Sequence, residues 1–597
     1  MVNGTVQPRF WDNLIPLRGS LFGEQLAGWT PGPPVMSGLG CTMLSDQPVP
    51  VVDNVSLAAD IYLPQRPGRY PAVVVFSAYS KELQTAGAPT GTNETGSPPV
   101  FTDRGYVHII VARRGMGRSQ GKTGVFFNDR DVDDHERVIA WAAEQPWCDG
   151  NVVLFGTSYY GMVQPQVAVR RPPALKAFFS NEMCTDYFRH IVQFGGAPAL
   201  YFVSLWMGAN FTRTQIRLHV PPLIRALASQ ILNSPLKRFW WPLVQKRMTA
   251  IMRGFIRNTP VREVREWYVN WMIDGKTREQ NIVPSGPYAE LGKIEIPFVT
   301  VQNLGYLNLH QFGSYELLEK AGTPGNRKWL ILAPPRFDLP VYAWQLEALA
   351  FFDHILRGAP NGYASQPPVR YWLDGADCYA GAAAFPIPGS IPARFHLASA
   401  GSDHAVHRLS PEVPLESTNS WAAVPIGVPV VGGFDEVANQ TLTYELAIDK
   451  DVEFSGPVSA HLKFSCNEID YSYVVTRLGR VDGKGGYHLL SMGVISPARR
   501  RIDPTRSAGC EIAIDTGVRE PLTPDEPVVL SFSLTPAPTR LRRGEKLRFD
   551  VASRTDLLRS DVSHGHAHFD MPVPPHFSRN TLHYGAQTYI ELQRIGS

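Results

Sequence analysis

The sequence predicts an α/β domain on a parallel sheet, with a helical cap inserted into it and an all-β sandwich behind it. Three observations carry this. Continuous apolar runs at 71–76, 108–111 and 152–155 alternate with helical stretches, the pattern of strands buried on both faces. From 188 to 280 the texture changes to Trp, Leu and Arg at helical spacing, with Trp206, Trp240, Trp241, Trp267 and Trp271 among them. After 381, short alternating runs at 458–464, 528–532 and 547–551 are punctuated by turn residues, as in a sandwich. A chain of 597 residues is long enough for these units. The boundaries read 1–40 for a Pro- and Gly-rich extended arm, 41–187 and 281–380 for the α/β domain, 188–280 for the cap, and 381–597 for the β domain.

Taken in order, Val55, Leu57, Ala59 and Ile61 alternate with smaller or polar neighbours and predict a half-exposed strand. The runs at 71–76 and 108–111 predict central strands. The glycine-rich turn Arg114-Gly115-Met116-Gly117-Arg118-Ser119 lacks the rest of a dinucleotide fingerprint, and no βαβ unit opens there. Residues 131–143 predict a helix with Val132, Val138, Ile139 and Trp141 as its apolar members. Strands follow at 296–301 and 328–332. An amphipathic helix at 345–356 closes the first domain.

The chemistry centres on Val152-Val153-Leu154-Phe155-Gly156-Thr157-Ser158-Tyr159-Tyr160-Gly161. A buried strand runs into a tight turn flanked by glycines. Met162, Val163, Val167 and Ala168 continue it as a helix, in which Pro165 fits only near the start. Strand, sharp turn, serine and helix make the nucleophile elbow of α/β-hydrolases. Ser158 is then the candidate nucleophile. The helix N-terminus and the Tyr159 amide favour an oxyanion beside it. The same residues also suit an ordinary strand-to-helix turn with a capping serine.

Composition narrows the partners. A net charge of +3 implies no nucleic acid. The apolar runs near 201–207 and 239–244 are too short to span a bilayer, so no membrane partner is expected. The N-terminus has no basic region and no apolar core, so a cytoplasmic protein is expected. Six cysteines lie far apart with no C-x-x-C, which predicts free thiols and no zinc ribbon. His564, His566 and His568 would share one face of a strand, a spacing that can hold a metal. A polar β-domain loop explains them as well, and no metal or cofactor is expected.

The ordered set of motifs resembles the CocE/NonD hydrolases, relatives of cocaine esterase, X-prolyl dipeptidyl aminopeptidases and α-amino acid ester hydrolases. Carrying it are the segment at 53–62, Arg114-Gly115-Met116-Gly117-Arg118-Ser119, Gln145-Pro146-Trp147-Cys148-Asp149-Gly150 leading to Ser158, and Phe351-Phe352-Asp353-His354. Near the end come 541–549 and Asn580-Thr581. The resemblance implies an α/β-hydrolase core, a helical cap and a jelly-roll-like β domain. It implies Ser158 as nucleophile, and Tyr79 as the hydroxyl that forms the oxyanion hole with the Tyr159 amide. The family's acid position reads Asn308, in Gly305-Tyr306-Leu307-Asn308, and its histidine position reads Phe337. Gly313 keeps its distance from the acid position.

Phe337 has no ionisable atom, and a serine hydroxyl is a poor nucleophile without a base. In a well-studied serine protease, losing the histidine costs roughly a millionfold in turnover. Three readings follow. His310, two residues past the acid position, could serve as a relocated base oriented by Asp338. The oxyanion hole could serve non-hydrolytic carbonyl chemistry, as in a cyclase, lyase or isomerase. The chain could be a ligand-binding pseudoenzyme. The expected substrate is a small carbonyl compound with an apolar or aromatic group held under the cap.

Overall fold

The computed structural model describes residues 41–82, 94–198, 286–335, 341–401, 406–423, 440–553 and 577–596, except single positions at 125, 306, 308, 471 and 508, together with scattered positions between 221 and 250. The predicted arm at 1–40 lies outside them, as does most of the predicted cap.

In chain order the first part contains β1 (Thr42–Pro50), β2 (Ser56–Leu63), β3 (Tyr70–Ser77), α1 (Pro98–Thr102), β4 (Val107–Ala112) and α2 (Asp129–Glu144). Next come β5 (Cys148–Thr157), α3 (Tyr159–Ala168), β6 (Leu175–Asn181), and a hairpin of β7 (Gln193–Phe194) and β8 (Ala197–Pro198). Then follow β9 (Phe298–Asn303), α4 (Gly313–Lys320), β10 (Lys328–Ala333), α5 (Val341–Arg357), β11 (Val369–Leu373) and β12 (Cys378–Ala382). Ten of these strands form one sheet, ordered β1-β2-β4-β3-β5-β6-β9-β10-β11-β12. The pairings from β4 through β11 are parallel; β1 and β2 at one end and β12 at the other are antiparallel. Strand β5 lies near the middle, so the turn after it opens at the centre of the sheet's carboxyl edge.

Period-2 alternation divides the core. Val152 and Leu154 face a cluster that includes Val138, Ile139 and Val163 of α2 and α3. Val153 and Phe155 face Phe101, Trp344 and Phe351 of α1 and α5. Helices on both faces explain why these strands read as unbroken apolar runs.

Strand β2 is buried almost throughout, against the expectation of a half-exposed strand. Strand β1 covers its free edge, and Asp60 is buried because Lys81 Nζ meets it at 2.8 Å. The helix α3 also departs from expectation, since Pro165 lies in its interior. A proline there donates no hydrogen bond to the carbonyl four residues back. The Ser180 hydroxyl donates to that carbonyl, Gly161 O, at 3.0 Å.

Thirteen described strands between Ile391 and Ile595 join in a second sheet. Its core holds the alternate residues Leu462, Phe464, Leu530, Phe532, Leu547, Phe549 and Val551. At the start of the predicted cap, Phe188–Val192 is a single helical turn that leads into the β7–β8 hairpin.

Candidate active site

Ser158 sits between β5 and α3 with φ 58° and ψ −122°. Such a conformation costs on the order of 1–3 kcal/mol and persists only where its surroundings impose it. Neighbouring glycines allow the crowding: a Cβ on Gly156 (φ 154°) would stand 2.3 Å from Tyr160 Cβ, and one on Gly161 2.6 Å from Asn181 O. The Ser158 amide donates to Asn181 O at 2.9 Å, and its carbonyl accepts from the Gly161 and Met162 amides at 2.8 Å each. Asn181 Nδ2 also donates to Thr157 Oγ1 at 3.0 Å. Ser158 is half-buried, whereas Tyr159 and Tyr160 are buried. As the first helical residue, Tyr159 has an amide with no intrahelical acceptor, and a helix N-terminus favours negative charge.

Tyr79 follows β3, the strand beside β5. Its ring lies edge-on to Tyr160, with centroids 5.7 Å apart. The Ser77 hydroxyl donates to Tyr79 O at 2.7 Å and lies 2.9 Å from the Tyr160 hydroxyl, tying the two segments together. Two residues on, Lys81 is wholly buried, with Nζ 2.7 Å from Asp46, 2.8 Å from Asp60 and 3.2 Å from Glu82. Burial works against its charge, but the carboxylates outweigh that and raise its pKa. This ionic knot fixes the backbone from which Tyr79 projects.

His310 lies on the loop between β9 and α4, at φ 60°, with Phe312 also left-handed at 66°. The imidazole is buried, and its Nε2 lies 3.2 Å from Ser158 Oγ. Burial pushes its pKa down to about 3, so the ring is neutral near pH 7. For Nε2 to accept the serine proton, the ring proton must sit on Nδ1. The fold therefore brings Ser158 and His310 together, with Tyr159 beside the serine and Tyr79 packed against the start of α3. Asn308, Phe337 and Asp338 lie outside the described residues, as do His564, His566 and His568. Among the described residues no group of three His, Cys, Asp or Glu side chains could hold a metal ion. Nor is any described helix long and apolar enough to cross a membrane.

Sequence reasoning passed over Glu182, at the end of β6. It is buried at φ 52°, and its carboxylate accepts from Asn303 N at 2.6 Å and Gln302 Nε2 at 3.1 Å. Burial raises its pKa well above the ordinary value, outweighing the Asn303 hydrogen bond. The available signal was its place, an acid directly after an apolar strand that neighbours β5.

Two family models match the chain: X-Pro dipeptidyl-peptidase (S15 family) over residues 53–336, and X-Pro dipeptidyl-peptidase C-terminal non-catalytic domain over 361–570. Cocaine esterase from Rhodococcus sp. is 26% identical over 531 residues, which cover 79% of this chain and 87% of the esterase. A CocE/NonD family hydrolase from Staphylococcus aureus superposes with a TM-score of 0.69 at 21% identity, covering 93% of this chain and 94% of that one. The chain belongs to the CocE/NonD hydrolase family. An α-amino acid ester hydrolase shares the fold at a TM-score of 0.64 and 16% identity, over 94% of this chain and 97% of that one. The family is one of serine esterases and peptidases, with an α/β catalytic core and a C-terminal β domain.

Proposed function

We propose that this CocE/NonD member is a serine hydrolase or acyltransferase in which His310 replaces the family's histidine as general base. The 3.2 Å approach of Ser158 Oγ to His310 Nε2 carries the reading. Ser158 Oγ attacks the carbonyl carbon of an ester, thioester or amide while its proton passes to His310 Nε2. The carbonyl π electrons move onto oxygen, which the Tyr159 amide and Tyr79 hydroxyl stabilise. Collapse of that oxyanion expels the leaving group, which takes the proton from His310. Water or a second nucleophile then releases the acyl group by the same steps in reverse. The substrate is a small carbonyl compound with an apolar or aromatic group.

Incubation with a fluorophosphonate followed by peptide mass spectrometry tests this. The expected result is an adduct on Ser158 that is lost in Ser158→Ala and reduced at least about 10³-fold in rate by His310→Ala. Labelling that proceeds undiminished in His310→Ala would remove the histidine from the mechanism.

The burial of His310 supports a second reading. An imidazole pushed down to about 3 holds an added proton poorly. Carbonyl chemistry that needs polarisation but no proton acceptor, such as a cyclisation or isomerisation, suits such a site. It predicts that Ser158→Ala retains turnover of the true substrate.

A further inference from the structure

We propose that the β domain sets the distance between Ser158 and His310, through a bracket formed by residues 181–198. This rests on the roles given above to those two residues.

The head of the bracket touches the turn that carries Ser158 and the strand end that leads to the His310 loop. Asn181 O accepts the Ser158 amide at 2.9 Å. Glu182 accepts from Gln302 and Asn303 at 3.1 and 2.6 Å, where β9 hands over to the loop that carries His310. The far end of that loop meets the bracket again. A Cβ on Gly313 would stand 2.3 Å from Cys184 Cα, and the Thr185 hydroxyl donates to Glu316 of α4. One short segment thus references the nucleophile turn and both ends of the base's loop.

The β domain holds the tail. Arg506 reaches Asp186 and Glu316, each at 3.3 Å, with its guanidinium 3.3 Å from the Tyr288 ring centroid. Glu511 meets Arg189 Nε at 3.0 Å and His190 Nε2 at 3.3 Å. The β7–β8 hairpin presses on the strand Tyr487–Ile495: a Cβ on Gly195 would fall 1.7 Å from Val494 O, and Ser496 N donates to Gly195 O at 2.9 Å. Phe194 and His190 close the circuit onto Phe312, with ring centroids 6.0 and 6.3 Å away, two residues from His310.

Burial works against ionisation of Asp186, Glu316 and Glu511, yet the arginines outweigh it and hold all three below their ordinary values. Buried ions with fixed partners have few alternative arrangements, so the bracket has one position. Positional error is expensive, since a 1 Å misplacement of reacting groups can cost about 10²-fold in rate. The domain whose family model is described as non-catalytic supplies positioning residues here, Arg506 and Glu511.

The test compares Arg506→Lys and Glu511→Gln with Arg480→Lys. Arg480 bridges Asp374 and Glu545 at 3.0 and 3.1 Å, a separate link between the domains that does not touch the bracket. Two signals are read in each folded variant. One is the ¹⁵N resonance of the His310 imidazole, assigned by its loss in His310→Gln. The other is the rate of Ser158 modification by a fluorophosphonate. Arg506→Lys and Glu511→Gln are expected to move the His310 resonance and slow modification about 10- to 100-fold, while Arg480→Lys changes neither. Should the lysine variant not fold, Glu511→Gln, which keeps an acceptor, decides alone. An unmoved His310 resonance, or an equal movement in Arg480→Lys, overturns the bracket. A wild-type protein that refuses the fluorophosphonate sinks the mechanism instead, and the imidazole resonance still judges the bracket.

Discussion

His310 meets Ser158 with an imidazole that burial has pushed from its ordinary 6.5 down to about 3. The ring is therefore an unprotonated acceptor far into the acid range. Modification of Ser158 by a fluorophosphonate should run at a constant rate from pH 8 down to about pH 5. An inflection between pH 6 and 7 would mean an ordinary, solvated histidine and would contradict this geometry. The same physics applies to His108 on β4. It packs beside Phe101 with centroids 4.9 Å apart, and neither ring nitrogen has a hydrogen-bond partner among the described residues. An unsatisfied buried polar group costs about 1–3 kcal/mol, so an apolar replacement of similar size removes a penalty. His108→Leu should be neutral or stabilising by about 1 kcal/mol in urea unfolding at pH 7; a loss above about 2 kcal/mol would show that the ring is bonded. The sequence marks His310 as a candidate base but gives no sign that either ring is buried: His108 sits in an apolar run and His310 in a loop. Burial, which sets their charge, belongs to the fold.

At the scale of elements, the elbow depends on how α3 tolerates Pro165. The carbonyl of Gly161 finds its donor in Ser180 on the adjacent strand β6, so strand and helix are stitched just behind Ser158. Ser180→Ala should cost about 1–3 kcal/mol by leaving that carbonyl unpaired. Pro165→Ala restores a backbone donor, so Ser180→Ala should cost less in that background. A double-mutant cycle by denaturant unfolding measures the coupling, and additive effects would show that the serine is not serving the carbonyl. Apolar runs made the strands β3, β4, β5, β9 and β10 and the helices α2 and α5 legible in sequence. Strand β2 was misread because its alternation looked half-exposed, while a covering strand and the Lys81 knot bury it from both sides. Such neighbours arrive from elsewhere in the chain and leave no local pattern.

For the whole molecule, three buried histidines make stability a function of pH. His108, His135 and His310 are each pushed down to about 3 by burial. Their unfolded values lie near 6.5, so below that pH the unfolded chain takes up protons that the native state refuses. Stability is full above about pH 6.5 and is lost as pH falls towards 3, at about 1.4 kcal/mol per pH unit for each histidine. Together they give a slope of about 4 kcal/mol per unit. The melting temperature should be level above pH 7 and drop steeply between pH 6 and 5, by scanning calorimetry. Equal melting temperatures at pH 7 and pH 5 would rule the linkage out.

The sequence alone yields the domain classes, Ser158 as a candidate nucleophile and, through the family resemblance, Asn308 and Phe337 at the usual acid and histidine positions, because these rest on local periodicity, glycine placement and residue identity. His310 could be named from sequence only as one candidate among three readings. Its approach to Ser158, across 152 residues, is set by left-handed backbone at His310 and Phe312 and by a bracket fastened to side chains more than 300 positions away. Contacts of that length are selected by packing and buried charge, which exist only once the two domains have met.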